Sequence, residues 1–247
     1  MDDYNYKKGK LREKVINQQS KQVYGINVDD LFYSFIYKFI NYYSKSYPIV
    51  NLLDIGTGTG IVPRTIQSNL KLNISIDAID KSIELINIAK SMDQKSNYIL
   101  IKNKLLANKK YQIITNRLCP RYKIDFMSNH ILDTGIYIFK EYDKYRGIKE
   151  IKRLFPNRWI KRKESNNFIT DLNNYNFKYI SIQKYIYNRK YTIKEIDNIL
   201  KSTNIIKNYS RTDYNFIKQK LGVSFYITQD PYILIASKNF NFFKHII

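Results

Sequence analysis

A chain of 247 residues suits one large domain, or one core domain with additions, and needs neither disulfides nor metal to bury its core. The single cysteine, Cys119, excludes an intrachain disulfide, and the two histidines, His130 and His245, match no zinc-ligand spacing. Lys and Arg number 42 against 21 Asp and Glu, a formal charge of +21, which reads either as attraction to an anionic partner such as RNA or as the bias of an AT-rich coding sequence crowded with Lys, Asn, Ile and Tyr. One knot of basic residues is dense: Lys149, Lys152, Arg153, Arg158, Lys161, Arg162 and Lys163. No apolar run reaches the ~18–20 residues that span a bilayer. Met1–Lys10 is polar, without the apolar stretch of a secretory signal. The expectation is a cytoplasmic protein with no membrane span.

Residues 10–23 and 28–44 read as helices. The second carries Leu31, Phe32, Phe35, Ile36, Phe39, Ile40 and Tyr43, an apolar stripe of helical period, with Asn27 or Asp29 as its cap. The stripe reads as core packing, or else as a lid over a substrate pocket. From residue 49 short apolar runs alternate with helical patterns: strand Ile49–Asp54, helix Ile61–Leu70 with Pro63 in its first turn, strand Ile74–Asp80, helix Ile83–Lys90, and strands Tyr98–Lys102, Tyr111–Asn116 and Ile136–Lys140. Such alternation implies right-handed βαβ units and a mostly parallel, doubly wound sheet. Beyond it, Ile148–Phe155 reads as a helix and Phe177–Tyr187 as one long strand. Thr192–Lys201 reads as a helix opened by a capping box of Thr192 and Glu195, Asp213–Leu221 as a helix, and Val223–Thr228 and Tyr232–Ser237 as strands.

Three of the eight glycines fall at 56, 58 and 60, inside Val50-Asn-Leu-Leu-Asp-Ile-Gly-Thr-Gly-Thr-Gly-Ile61. A strand, a glycine turn and a helix start in that order let backbone approach a ligand, with the free N–H groups of the helix start facing it. The spacing is G-x-G-x-G, with Ile61 where a dinucleotide fingerprint has glycine, and Asp54 stands two residues before Gly56. A carboxylate there repels a pyrophosphate and attracts a ligand bearing a cationic amino group and a sulfonium.

Leu52-Leu-Asp-Ile-Gly-Thr-Gly-Thr-Gly60 resembles motif I of class I S-adenosylmethionine-dependent methyltransferases. The resemblance covers residues 49–140 well and 175–240 as a plausible completion of the sheet. It implies a Rossmann-like methyltransferase fold: α/β, with a doubly wound, mostly parallel seven-stranded sheet and N-terminal helices. The domains it implies are a helical cap over 1–48 and a methyltransferase domain over 49–247 with an added segment near 141–175. The implied cofactor is S-adenosylmethionine, bound by Asp54, Gly56, Thr57, Gly58, Gly60, Asp80, Lys81, Asn103 and Thr115. Asp80 ends the second strand close to the ~20 positions after the first glycine at which an acid reads a ribose diol; Asp77, three residues earlier and on the other face, is the competing acid. After the third strand only Asn103 stands where the family often has an acid or amide. Gln112 replaces the acid common before strand four, and Leu132-Asp-Thr-Gly135 is the remnant of the turn before strand five.

In this family the acceptor pocket forms after strand four, here Thr115-Asn-Arg-Leu-Cys-Pro120, which lacks the Asn/Asp-Pro-Pro-Tyr pattern of enzymes that methylate exocyclic amines. Asn116 and Arg117 are the candidate acceptor residues, since an Arg there can grip a carboxylate or phosphate; a surface Arg paired with a nearby acid is the plainer reading. Cys119 reads as a pocket or core thiol rather than a nucleophile. His130, expected in a solvated loop, offers no clear base, and methyl transfer needs one only where the acceptor loses a proton. The resemblance to small-molecule methyltransferases makes a small-molecule acceptor the leading expectation. An RNA acceptor and a non-catalytic scaffold are the alternatives.

Overall fold

The computed structural model describes residues 27–69, 73–101, 106, 109–119, 124–160, 165–203 and 205–239. The expected helix over 10–23, and Asn103, Pro120, Lys161, Arg162, Lys163 and His245, lie outside them. The chain divides into two compact units, one of Asp29–Glu141, Ser165–Gln183 and Tyr232–Ile247, the other of Met1–Val28, Tyr142–Glu164 and Lys184–Pro231.

The strands are β1 (Val50–Ile55), β2 (Ile74–Asp80), β3 (Asn97–Leu100), β4 (Tyr111–Arg117), β5 (Ile131–Tyr142), β6 (Tyr179–Lys184), β7 (Tyr187–Thr192), β8 (Ser224–Gln229) and β9 (Pro231–Ser237). The larger unit is built on a seven-stranded sheet ordered β3-β2-β1-β4-β5-β9-β6. β1 pairs in parallel with β2 and with β4, β2 with β3, and β4 with β5. This is the mostly parallel, doubly wound sheet expected, and every β1 residue except Asn51 is buried, as a strand covered on both faces requires. From β1 the chain builds outward to β2 and β3, then returns to β4 on the other side. That reversal opens a crevice at the carboxyl ends of β1 and β4, where an open α/β sheet takes its ligand.

The helices are α1 (Val28–Tyr43), α2 (Ile61–Asn69), α3 (Ile83–Met92), α4 (Ile124–His130), α5 (Lys149–Leu154), α6 (Ser165–Asn174), α7 (Ile193–Ser202) and α8 (Arg211–Leu221). On α1 the expected stripe is buried at Phe32, Ile36, Phe39, Ile40 and Tyr43, and the Tyr43 hydroxyl donates to Thr134 O. The core of the sheet unit gathers Leu53, Ile55, Ile114, Phe139, Phe168 and Leu234. The smaller unit has its own core of Ile148, Ile151, Trp159, Ile196, Leu200 and Ile227, around α7, α8 and the antiparallel β7–β8 pair. Among the described residues no helix is long and apolar enough to cross a membrane.

The structure departs from the sequence reading in three places. The single strand expected over Phe177–Tyr187 divides at Tyr185–Ile186: β6 belongs to the seven-stranded sheet and β7 to the two-stranded one. Alternation of side chains continues through such a change of partner, so the pattern does not reveal it. β5 begins at Ile131, not Ile136, because Leu132–Gly135 is an irregularity within the strand, between the pairs Tyr111↔Ile131 and Ile113↔Ile136. His130 closes α4, half-buried: Nδ1 lies 2.8 Å from Phe126 O and Nε2 3.1 Å from Leu106 O. The solvated loop expected for it is a helix too short to show a period.

Candidate active site

β1 runs into the glycine turn with Asp54 and Ile55 buried and Gly56 at its end. The turn folds back on β2: Gly56 N and Thr57 N both donate to Ile79 O, at 2.8 and 3.0 Å, and Gly60 N donates to Thr57 O at 3.0 Å. Gly58 N donates to Asp80 Oδ2 at 2.9 Å. The N–H groups of these four residues are therefore spent inside the protein. Gly58 has φ +57, and a Cβ there would meet nothing within 4 Å. At Gly56 a Cβ would lie 2.0 Å from Cys119 Sγ, so this glycine answers to packing against the cysteine.

Asp54 is 1% exposed. Its Oδ1 accepts from Thr115 Oγ1 at 2.7 Å, across the β1–β4 register that sets the two residues side by side. Among the described residues neither its Oδ2 nor Thr57 Oγ1, both buried, has a partner in hydrogen-bonding geometry. Burial pushes the Asp54 carboxyl up to about 7, against the Thr57 and Thr115 hydroxyls and the charge of Arg117. An acceptor oxygen without a donor in a dry site fits a cationic ligand group. The open space beside Gly58 fits the approach of one.

The two acids of β2 part company. Asp77 accepts from Asn97 Nδ2, Lys109 Nζ and Tyr111 OH at 2.6–2.7 Å and braces the strand. Asp80, half-buried at the strand's end, receives Gly58 N on one oxygen and Ser82 N on the other at 3.0 Å. Each carboxylate oxygen keeps a second lone pair for a ligand hydroxyl. Ser82 then caps α3 by accepting from Leu85 N, and Lys81 between them is exposed. Gln112, expected at the turn before β4, lies within it and holds β1 in register, its Oε1 accepting from Asn51 N at 2.9 Å.

At the end of β4, Thr115 faces Asp54, while Asn116 points to the opposite face, fully buried, with neither Oδ1 nor Nδ2 partnered among the described residues. Arg117 Nε donates to Asp29 Oδ1 at 2.8 Å, and Lys140 Nζ of β5 reaches the same oxygen. Burial works against the Asp29 charge, but Arg117 and Lys140 outweigh it and hold its carboxyl well below the usual range. Burial lowers the Lys140 ammonium, with Asp29 opposing. This cluster ties the first turn of α1 to the carboxyl ends of β4 and β5. Asp29 and Lys140 are candidate site residues that the sequence reading did not assign. The one signal available was an acid in the first turn of α1, and it read equally well as a cap.

The order of strands, the reversal at β1 and the glycine turn against an acid-ended β2 define the class I methyltransferase fold, Rossmann-like, with an N-terminal helix. No family model and no curated protein matches the sequence. Three solved structures share the fold at low identity. The plantazolicin methyltransferase BamL, in complex with a triazolic desmethylPZN analog and SAH, is 14% identical at TM-score 0.53, over 93% of this chain and 90% of that one. A phospholethanolamine N-methyltransferase 2 from Haemonchus contortus, in complex with phosphomonomethylethanolamine and S-adenosylhomocysteine, is 15% identical at TM-score 0.52, over 85% of this chain and 53% of that one. The YcgJ protein from Bacillus subtilis is 11% identical at TM-score 0.51, over 83% of this chain and all of that one.

Proposed function

We propose that this chain is an S-adenosylmethionine-dependent methyltransferase acting on a small molecule. One observation carries the reading: the buried Asp54, four residues before the glycine whose Cβ position is open, has one oxygen held by Thr115 and the other without a hydrogen-bond partner among the described residues. When bound, S-adenosylmethionine supplies an electrophilic methyl group on a sulfonium. Asp54, Thr57 and the Gly56–Gly60 turn would hold its amino-acid end, Asp80 would accept its ribose hydroxyls, Thr115 keeps Asp54 oriented, and Lys81 would complete the set. Asn116 and Arg117, which close β4 on its opposite faces, are the residues proposed to meet the acceptor. The protein's contribution to an in-line transfer is position and the exclusion of water. The small-molecule reading is supported by Asp29, which draws α1 onto the ends of β4 and β5, and by complexes of the same fold with phosphomonomethylethanolamine and a desmethylPZN analog.

Titration calorimetry with S-adenosylmethionine and its demethylated product tests the first half, and radiolabelled methyl transfer to a small-molecule panel tests the second. Saturable binding that Asp54→Asn weakens at least about tenfold is expected, as for a charged hydrogen bond worth ~1.5–3 kcal/mol. A flat titration at millimolar ligand, with the protein shown to be folded, overturns the proposal.

A further inference from the structure

The smaller unit carries a concentration of positive charge that its own acids do not neutralise. Three ammonium groups gather about the ring of Tyr145: Lys144 at 4.9 Å from its centroid, and Lys149 and Lys152 each at 5.2 Å. The carboxylates of the neighbourhood are committed elsewhere. Glu150, the acid of α5, spends both oxygens on Thr228 N and Oγ1 at 2.8 Å. Asp230 receives Tyr145 N and Gly147 N, and Asp143 pairs with Lys184. Lys152 Nζ has only the Lys144 carbonyl, at 3.4 Å, and none of the three lysines makes an ion pair with a carboxylate among the described residues. Like charges held this close call for an anion between them.

The Glu150 contact also joins this cluster to the outer face of the two-stranded sheet. Thr228, which it grips, lies two residues from Tyr226 on the same face of β8. Tyr226 is 65% exposed, and directly across from it, on β7, stands the exposed Lys190. An exposed aromatic ring with Lys190 across from it, and the lysine cluster joined to the same strand through Glu150, offers a face for stacking and a rim of charge. A phosphodiester chain with unpaired bases satisfies both; a lipid headgroup or a phosphorylated peptide satisfies only the charge.

We propose that Lys144, Lys149, Lys152, Lys190 and Tyr226 form a binding surface for single-stranded RNA, the lysines taking phosphates and Tyr226 stacking on a base. This surface goes beyond the methyltransferase reading and does not depend on it: the RNA is a ligand of this unit, whatever molecule is methylated.

The test is fluorescence anisotropy of a labelled single-stranded RNA 20-mer with the full chain, from about 50 to 200 mM salt. Replacing Lys144, Lys149 and Lys152 together by Ala is expected to weaken binding at least about tenfold and to make the salt slope shallower by roughly two, since about 0.7 counterion is released per phosphate contact on a single strand. Tyr226→Ala is expected to cost about 5- to 150-fold with the slope unchanged. Replacing Lys45, Lys90 and Lys95 of the sheet unit by Ala is the control, expected to leave affinity within about twofold. Lys144, Lys149 and Lys152 changed together to Arg, which keeps the charge, are expected to retain affinity within about threefold, separating loss of charge from loss of fold. The proposal is overturned if the wild type fails to bind at 50 mM salt, if the control triple weakens binding as much as the first, or if Tyr226→Ala binds as wild type. Anionic vesicles that bind as tightly as the RNA, with the same dependence on the lysines, would also overturn it. Calorimetry with S-adenosylmethionine on the same preparations reads the other proposal independently.

Discussion

At Gly58 the backbone sits at φ +57 with no atom within 4 Å of where a Cβ would project. The Cβ of a valine there has room, so its cost to the free protein is chiefly the strain of a β-branched residue in the left-handed region, about 1–2 kcal/mol, or a melting temperature lower by roughly 2–8 °C. It would fill the space the ligand is proposed to take, so Gly58→Val is expected to abolish S-adenosylmethionine binding in calorimetry while the protein stays folded by circular dichroism. Wild-type affinity in that variant would remove the turn from the ligand site. Asp54 sets a pH dependence. Its carboxyl rises from 3.8 to about 7 on folding because burial disfavours the charge. Between those values the folded chain keeps a proton the unfolded chain has lost. The stability this confers is full below pH 4 and is lost as pH rises through 7, with a ceiling of roughly 4 kcal/mol. Asp54→Asn keeps an oxygen for Thr115 and removes the titration, so its melting temperature should gain on the wild type between pH 4 and pH 8; parallel curves would refute this. A cationic ligand favours the ionised form. Cofactor binding near pH 6 should therefore release close to one proton and above pH 8 none, measured as the dependence of binding heat on the ionisation enthalpy of the buffer.

At the scale of elements, α1 is secured to the sheet by a charge rather than by its stripe alone. Asp29→Ala would leave Arg117 and Lys140 buried without their shared carboxylate, a loss expected to cost about 3–5 kcal/mol in urea denaturation, against less than 1 kcal/mol for the neighbouring exposed Asp30→Ala. In the smaller unit, α7 opens on Thr192, whose hydroxyl accepts from Glu195 N while Glu195 Oε2 receives Thr192 N. Thr192→Ala should cost about 1 kcal/mol. This cap was legible because its partners stand three residues apart. The division of β6 from β7, and α4 and α6, were not: a change of strand partner leaves no mark on alternation, and a helix with buried positions only at Ile124 and Met127 is too short to show a period.

For the molecule as a whole, a ligand that binds only the folded state raises its stability by mass action, about 2.7 kcal/mol at a hundred times Kd. The transition of the unit that carries the site should move up by roughly 5–11 °C in saturating S-adenosylmethionine, and no shift in differential scanning calorimetry would count against the site. The alternation of strand and helix, the glycine turn and the acids that precede and follow it were readable along the chain, because each depends on neighbours a few residues apart. The mostly parallel, seven-stranded sheet followed from the same pattern once the resemblance was drawn, while the order of its strands came from the folded chain. What the side chains of the site do was decided by partners far away in sequence. Thr115 meets Asp54 across 61 residues, Arg117 meets Asp29 across 88, and Lys140 reaches the same carboxylate across 111. Propensity and period act over one or two turns of chain, whereas burial and charge pairing act through space, so Arg117 could be read from the sequence as a candidate and only the folded chain shows the carboxylate it holds.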